Sequence, residues 1–518
     1  MAFWVGLLFG TVQGFYALGW LTVVSRFNPL IYAGIPPAAV WWGLHQGVAC
    51  ALIVYFARNL SPWKALPMAM MTWAGMEYFR AIGALGLPLA MLGHSLGGWP
   101  QLAQAASLGG VPLLSALIIG INLCWMEIIS AVLAKSGQAE ATVRFAMVSA
   151  LIAGGVVYGS KALSSSRDRD PLATESFDFH IALIQTGIDQ EKKFQSYAAD
   201  DEKERMRLQD EMLASMMKQI GSLQPGEVDL IVTPESSLTN DYVDIEESIQ
   251  KRLFGGVVIE EILAAAKELK TPIVVGGVDN VFKTTAGDPT ESLAEGSNAE
   301  FEFNPGHEVY GAMWLIRPDD QGVRPVADYR KIQLLPFGET VPYLGLIPGF
   351  AEKVVQVGTF ARGTRVEPIG MLIQRDGAAQ EVKLGPSICF EDLFGSLHRN
   401  HAAHGAQLFV NTTNDAWFDD SAGPLWHEDM ARWRSIEMRI PMVRCTNSGV
   451  TSVIDQTGKV TESLPLKESG ILKATIKLQK NPRRTIYSRI GESFGAVSMI
   501  VTALAWLILM RIQGRRAA

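Results

Sequence analysis

The stretch Gly385-Pro-Ser-Ile-Cys389-Phe-Glu391-Asp-Leu-Phe394 ends an apolar strand pattern at a thiol, adds an acidic residue, and then opens an apolar helical run. A nucleophile belongs at such a junction. Backbone amides and the positive end of a helix starting near Glu391 favour both a thiolate and a negatively charged tetrahedral oxygen. Two upstream runs set isolated charges in a similar apolar frame: Ile231-Val-Thr-Pro-Glu235-Ser-Ser, and Tyr329-Arg-Lys331-Ile-Gln-Leu-Leu-Pro-Phe-Gly338-Glu339-Thr-Val-Pro342. A carboxylate, an amine and a thiol are the three groups that thiol acyl transfer needs, and they fall in the one stretch with the composition of a water-soluble domain.

A free cysteine has a pKa of about 8.5, so at neutral pH it is mostly thiol and needs help to react. Glu235 is the candidate base for the thiol proton and, later, for the proton of an incoming amine. Lys331 is the candidate stabiliser of the tetrahedral oxygen. Glu339, beyond Pro336 and Gly338, is predicted to return beside Lys331 as a second carboxylate. Each group has a plainer reading as a core thiol or a surface charge, and their order and framing favour the catalytic one.

The 518 residues divide between two solvents. Residues 1–163 are sparsely charged and are read as an N-terminal transmembrane bundle of about five helices, with spans near 2–24, 38–57, 65–90, 108–133 and 145–160. Residues 164–178 read as a linker, 179–485 as a catalytic domain, 490–512 as a C-terminal transmembrane helix and 513–518 as a cytoplasmic tail. The apolar run Ser493 to Met510 is long enough to cross a bilayer. Arg58, Lys64, Lys135, Arg144, Arg511, Arg515 and Arg516 outnumber Arg26 and Lys161 on the opposite side, which puts the large domain outside the cytoplasm. Lys480, Arg483, Arg484 and Arg489 argue mildly against that orientation.

The net charge of −7 comes without a basic stripe, so nucleic acid is not an expected partner. Four cysteines are too few for a disulfide scaffold, and Cys50 and Cys124 lie in apolar spans. Glu77 and Arg80 in the third span are expected to pair on one helix face. His94 follows them at an interface. His398, His401 and His404 are spaced too widely on a helix to share a metal easily and read as a solvated face. A Cys389–His427 pair suggests itself, although Glu235 and Lys331 already supply its functions.

Strands are predicted at His180 to Gln185, Asp229 to Thr233, Pro272 to Gly276, Val309 to Ile316, Val382 to Ile388, Gln407 to Asn411, Met442 to Thr446 and Thr451 to Ile454. Helices are predicted at Ser196 to Ile220, Val257 to Leu269, Leu393 to Ala403 and Trp426 to Met438. That mixture suggests layered sheets covered by helices. Thr284 to Gly306 is polar and aperiodic and reads as a loop over a site.

The order Glu235, Lys331, Cys389 resembles the nitrilase superfamily. Longer runs narrow the likeness: Asn411-Thr-Thr-Asn414-Asp415-Ala-Trp417-Phe, Gly423-Pro-Leu-Trp-His427, Met430-Ala-Arg432, and Arg444-Cys-Thr446-Asn447-Ser-Gly449 through Asp455. With Leu335 to Pro342 and residues 77–113, they resemble the apolipoprotein N-acyltransferase family. The resemblance implies an α+β nitrilase-like αββα sandwich joined to an α-helical transmembrane bundle. It implies an acyltransferase of the bacterial inner membrane, with its catalytic domain on the periplasmic side. Cys389 would carry an acyl chain from a phospholipid donor as a thioester, and the α-amino group of a lipoprotein diacylglyceryl-cysteine would receive it.

By the same resemblance, Glu235, Lys331 and Cys389 are catalytic, and Glu339, Glu391 and Phe390 are supporting; Asp415 and Trp417 are expected to shape the loop around the pocket, with direct substrate contact as the alternative, and His94 is a further candidate contact. Neither a cofactor nor a metal is implied. The chain departs from the family pattern at Phe390 in place of Tyr, Thr233 in place of Trp, Gly187 in place of Asn, Phe194 in place of Trp and Asp419 in place of Gly. Its N-terminal membrane part is also shorter by about one helical hairpin. Acceptor choice is where such changes are expected to act. Three other readings stand beside this one: a paralogue with another acceptor, such as TraB-type conjugal-transfer proteins; a membrane-anchored amidase; and an assembly protein without activity.

Overall fold

A computed structural model describes the chain apart from residues 28, 166–174, 194–201, 236, 238–241, 245–253, 283–306, 320–327, 343–359, 376–377 and 518. Most of the expected linker, Phe194, the first residues of the helix expected from Ser196, and the loop from Thr284 to Gly306 lie outside those described residues.

Period-2 patterns build two sheets. Among the described residues, one sheet has the order β13 (Gly470–Gln479), β1 (Ser176–Gln185), β2 (Leu230–Val232), β4 (Ile273–Phe282), β5 (His307–Ile316) and β6 (Tyr329–Arg330), with β3 (Tyr242–Asp244) paired to β4. The other has the order β12 (Val460–Ser463), β11 (Ser452–Ile454), β10 (Met442–Thr446), β9 (Leu408–Thr413), β8 (Ala378–Ile388) and β7 (Ile369–Arg375). All the expected strands are present, Met442–Thr446 with the expected ends and the others with one or both ends shifted. Strands β3, β6, β7, β12 and β13 were not expected.

Alternation along the strands fixes the layers. Ile181 and Leu183 of β1 face Leu384 and Ile388 of β8, Val410 of β9 and Val443 of β10 in one core between the sheets. Their neighbours Ala182 and Ile184 point outward, under the helices Glu202–Ile220 and Phe254–Leu269. Phe409 and Met442 point outward from the second sheet, against Ala402 of the helix Gly395–Ala403 and Met438 of the helix Gly423–Met438. The result is an αββα sandwich.

Five helices among the described residues are long and apolar enough to cross a membrane: Ala2–Arg26, Leu30–Asn59, Ala106–Ala134, Gln138–Ser164 and Ser493–Arg516. The first two pack closely through small residues. A Cβ on Gly10 would stand 2.8 Å from the Gly43 Cα, and one on Gly14 would stand 2.8 Å from the Ala39 Cα. The helix expected at 65–90 instead runs Pro62–Ala81. Glu77 and Arg80 on it do not bond each other as expected. Glu77 accepts from Leu92 N at 2.7 Å and Trp73 Nε1 at 3.0 Å, while Arg80 donates to Leu87 O at 2.9 Å and Leu89 O at 3.0 Å. These bonds satisfy the non-helical backbone that follows Ala81, which would otherwise be left unpaired in an apolar setting. The last helix continues to Ala517, through most of the expected tail.

An apolar seam joins bundle and sandwich. Trp42, Leu89, Met91 and Val111 pack in one cluster with Phe390, Leu393, Met430 and Trp433. Cys389 touches both this seam and the core between the sheets.

Leu384 is 1% exposed in the inter-sheet core. Leu384→Ala is expected to cost about 2–5 kcal/mol, seen as a lower thermal midpoint of the detergent-solubilised protein. An unchanged midpoint would contradict this packing.

Candidate active site

Strand β8 ends at Ile388, and Cys389 turns the chain with φ +50 into the 3-10 turn Cys389–Leu393. A left-handed conformation at a non-glycine residue costs on the order of 1–3 kcal/mol and persists only when its surroundings enforce it. Asn411, paired with Ser387 across β8 and β9, supplies the restraint: its Nδ2 donates to Cys389 O at 3.1 Å and Ser387 Oγ at 3.2 Å. The chain leaves the strand sharply, and the thiol projects toward the neighbouring sheet's charges.

Glu235 reaches that place from just beyond β2. Gly276 of β4 makes room for the approach, since a Cβ there would stand 2.7 Å from Pro234 O. The carboxylate accepts from the Asn414 backbone N–H at 3.0 Å through Oε2, lies 3.5 Å from Lys331 Nζ through Oε1, and is close enough to the Cys389 thiol for each to shift the other's pKa. Lys331 leaves β6 anchored by its N–H on Gly311 O at 2.8 Å. Its side chain is 1% exposed, with Nζ 2.6 Å from Glu339 Oε1. The other Glu339 oxygen accepts from Leu335 N at 3.0 Å, closing the turn that returns Glu339 beside Lys331. Glu235, Lys331, Glu339 and Cys389 therefore share one space.

The electrostatics assign resting protonation states. Burial pushes the Cys389 thiol well above its ordinary value, Glu235 adds to that push, and Lys331 opposes it. The helix-end acidification expected from the sequence does not prevail; the resting group is a neutral thiol. Burial likewise raises the Glu235 pKa, with Lys331 pulling it down and Glu339 pushing it up. Burial works to lower the Lys331 pKa, but Glu339, Glu235 and Cys389 together hold it well above its usual value. Lys193, also buried, is drawn down to about 8 by burial against the pull of Glu235. With Glu235 it lines a void of about 10 Å³, room for roughly one water.

Glu391 lies behind the turn as a junction. Its oxygens accept from Tyr329 OH at 2.8 and 2.9 Å, Ile332 N at 2.7 Å, Gln333 N at 2.9 Å and Ile388 N at 2.8 Å. The segment carrying Lys331 is thus fixed against the end of β8. Burial raises the Glu391 pKa to about 7 against the Gln333, Ile388 and Ile332 amides and Lys331. Phe390 is buried in the apolar seam, edge-on to Phe394 at 5.1 Å.

The candidate substrate contacts separate. Asp415 is 1% exposed and bonds His427 Nδ1 at 2.7 Å. Trp417 stacks edge-on against Phe27 at 5.4 Å, and Trp20 meets Phe418 at 4.6 Å, so the first membrane segment rests on this loop. Asp419, with φ +43, pairs with Arg26 at 2.7 Å and with Lys467. His94 is buried beside Trp433, and its Nδ1 accepts from Met91 N at 3.1 Å. His427 bonds Asp415 and Asp392 instead of pairing with Cys389. His398 and His401 are fully buried rather than solvated, because the helix Gly395–Ala403 lays that face on Phe409.

Sequence reasoning passed over Asn411, Tyr329, Asp392 and the Asn414 amide. The polar run Asn411-Thr-Thr-Asn414 at the end of a strand buried on both faces was the available signal, since buried polar groups need assigned partners.

Residues 180–481 match the carbon-nitrogen hydrolase family model, and residues 1–124 match the apolipoprotein N-acyltransferase N-terminal domain. The chain is similar to an apolipoprotein N-acyltransferase of Geobacter metallireducens, at 29% identity covering 97% of this chain and 84% of that protein. It is similar to apolipoprotein N-acyltransferase 1 of Treponema denticola, at 24% identity covering 92% and 82%. Among solved structures, Saccharomyces cerevisiae Nit3 superposes with a TM-score of 0.36 at 16% identity, over 61% of this chain and 94% of that one.

Both oxygens of Glu391 receive backbone N–H groups, so either orientation of an amide would set its NH₂ against a donor. Glu391→Gln is expected to lower the thermal midpoint and to slow modification of Cys389 by an acyl donor at least tenfold. A variant with unchanged midpoint and rate would show that the junction does not hold the site.

Proposed function

This chain belongs to the apolipoprotein N-acyltransferase family, within the carbon-nitrogen hydrolases, and from that membership we propose that it moves an acyl chain from a phospholipid, through a Cys389 thioester, to the α-amino group of a lipoprotein's N-terminal diacylglyceryl-cysteine. The observation that carries the reading is the position of Cys389. Its thiol meets Glu235 and Lys331 on one side and the apolar seam of the membrane helices on the other. A hydrolase of small soluble amides has no use for that second neighbour.

In the first half-reaction Glu235 takes the thiol proton and the sulfur attacks the ester carbonyl. Lys331, held charged by Glu339, faces the negative oxygen of the tetrahedral adduct. Collapse breaks the ester bond, and the leaving lysophospholipid oxygen takes the proton from Glu235. In the second, the neutral acceptor amine attacks the thioester and gives its proton to Glu235, which returns it to the departing Cys389 sulfur. The raised Glu235 pKa suits a group that must both take and return a proton near neutrality.

Residues 1–163 and 490–512 form the membrane unit in this reading and 176–485 the catalytic domain, since β1 already begins at Ser176 inside the expected linker 164–178, and 513–518 is the cytoplasmic end. The distribution of arginine and lysine supports a catalytic domain on the periplasmic side of an inner membrane. Both substrates are then confined to the plane in which the thiol lies. Asp419, tied to Arg26 and Lys467 beside the loop of Asp415 and Trp417, favours a second reading in which the chemistry is the same and the acceptor differs.

Purified protein in detergent with acyl-labelled phospholipid is expected to form a hydroxylamine-sensitive adduct that Cys389→Ala lacks. Equal label in Cys389→Ala would reject the mechanism. A diacylated lipopeptide offered to the adduct is expected to become triacylated; adduct without product would transfer the reading to another acceptor.

A further inference from the structure

We propose that His427 is a positioning residue held protonated at neutral pH, whose imidazolium clamps the turn bearing the nucleophile to the loop that holds the base. The proposal rests on the reading of Cys389 and Glu235 given above. The ring stands between two carboxylates, with Nδ1 2.7 Å from Asp415 Oδ1 and Nε2 3.0 Å from Asp392 Oδ1. A carboxylate oxygen accepts, so each ring nitrogen must donate, and a neutral imidazole has only one N–H. Two donors on one ring make it a cation.

The charge count agrees. Arg444 lies 3.3 Å from Asp392 Oδ2 through Nε and 3.7 Å from Asp415 Oδ2 through Nη2. His427 and Arg444 therefore face Asp392 and Asp415, with Glu428 nearby, its carboxyl pKa raised by burial against the pull of Arg444 and Arg432; the side chains of Asp392, Asp415 and Arg444 are fully buried while that of His427 is 9% exposed. Removing one charge from such a set leaves another buried and uncompensated.

The two carboxylates belong to the two halves of the site. Asp392 lies in the turn Cys389–Leu393. Asp415 follows Asn414, whose backbone N–H bonds Glu235, and it abuts Gly449, where a Cβ would collide with its carboxylate. One ring therefore sets the separation between the thiol's turn and the base's carboxylate. Burial works to lower the His427 pKa, Asp392 and Asp415 overcome it, Arg444 opposes them, and the balance stands at about 9. Because this value is raised, the stabilisation is fully present below the unfolded value of about 6.5 and is lost as pH rises through about 9.

The rate of acyl-adduct formation on Cys389, measured from pH 6 to 10 with labelled phospholipid, tests the clamp. Wild type is expected to lose rate above about pH 9. Lys331 remains charged through that range, ionisation of the thiol would raise the rate rather than lower it, and Lys193, which gives up its proton at about 8, leaves a lower break that His427→Gln keeps and His427→Lys does not move. His427→Gln is expected to react at least tenfold more slowly at pH 7, with no break near pH 9. His427→Lys keeps a cation with several donors and is expected to recover part of the neutral rate while moving the break upward. Should His427→Gln fail to fold, the shifted break in His427→Lys decides alone. A wild-type rate and profile in His427→Gln, or a break at unchanged pH in His427→Lys, would overturn the proposal. Absence of a Cys389 adduct in wild type would instead overturn the underlying mechanism.

Discussion

A lysine ammonium with almost no access to water is tolerable only where carboxylates meet it, and Lys331 has two, Glu339 at 2.6 Å and Glu235 at 3.5 Å. That requirement organises the site. Glu339 must return through the Leu335–Gly338 turn, Glu235 must pass over a glycine on β4, and Glu391 must gather the amides between Tyr329 and Ile388. Burial raises the Glu235 pKa, and Lys331 pulls it back down. Together around one ammonium, Glu235 and Glu339 keep charge at the point where an acyl transfer develops it.

The neutral thiol follows from the same dryness. Burial and the adjacent Glu235 disfavour a standing thiolate, so the sulfur becomes nucleophilic only as its proton moves to that carboxylate. Coupling the two events suits a thiol packed against an apolar cluster of membrane-helix side chains, because no thiolate stands there between turnovers. The strain at Cys389 is local and is restrained by Asn411 from the adjacent strand.

Much of this was legible in the chain. The strand-to-turn junction at Cys389, the isolated Glu235 and Lys331, and the Pro-Phe-Gly turn before Glu339 are local features, and local features survive in a linear reading. Strand β13 was equally visible and went unread: Leu472, Ala474, Ile476 and Leu478 point inward between exposed Lys473 and Lys477. What could not be read was set by burial and by distant partners. His398 and His401 have a solvated face's spacing but a sheet above them. Asp392, Asp415, His427 and Arg444 come from a turn, a loop, a helix and a strand, and no spacing rule joins them. Glu77 and Arg80 looked like a pair because their spacing permitted one, whereas the irregular backbone after Ala81 had the stronger claim on both.

The last helix returns to the bundle formed by the first part of the chain. A Cβ on Gly75 would stand 2.6 Å from Met499 N, and one on Gly110 would stand 2.6 Å from the Tyr487 ring. The αββα sandwich is thereby moored at both its entry and its exit, like a bridge deck on two piers. Close packing at Gly75 and Gly110 ties the exit of the sandwich to the helices of the bundle. In the proposed reaction, donor and acceptor would each reach the thiol by two-dimensional diffusion in the membrane.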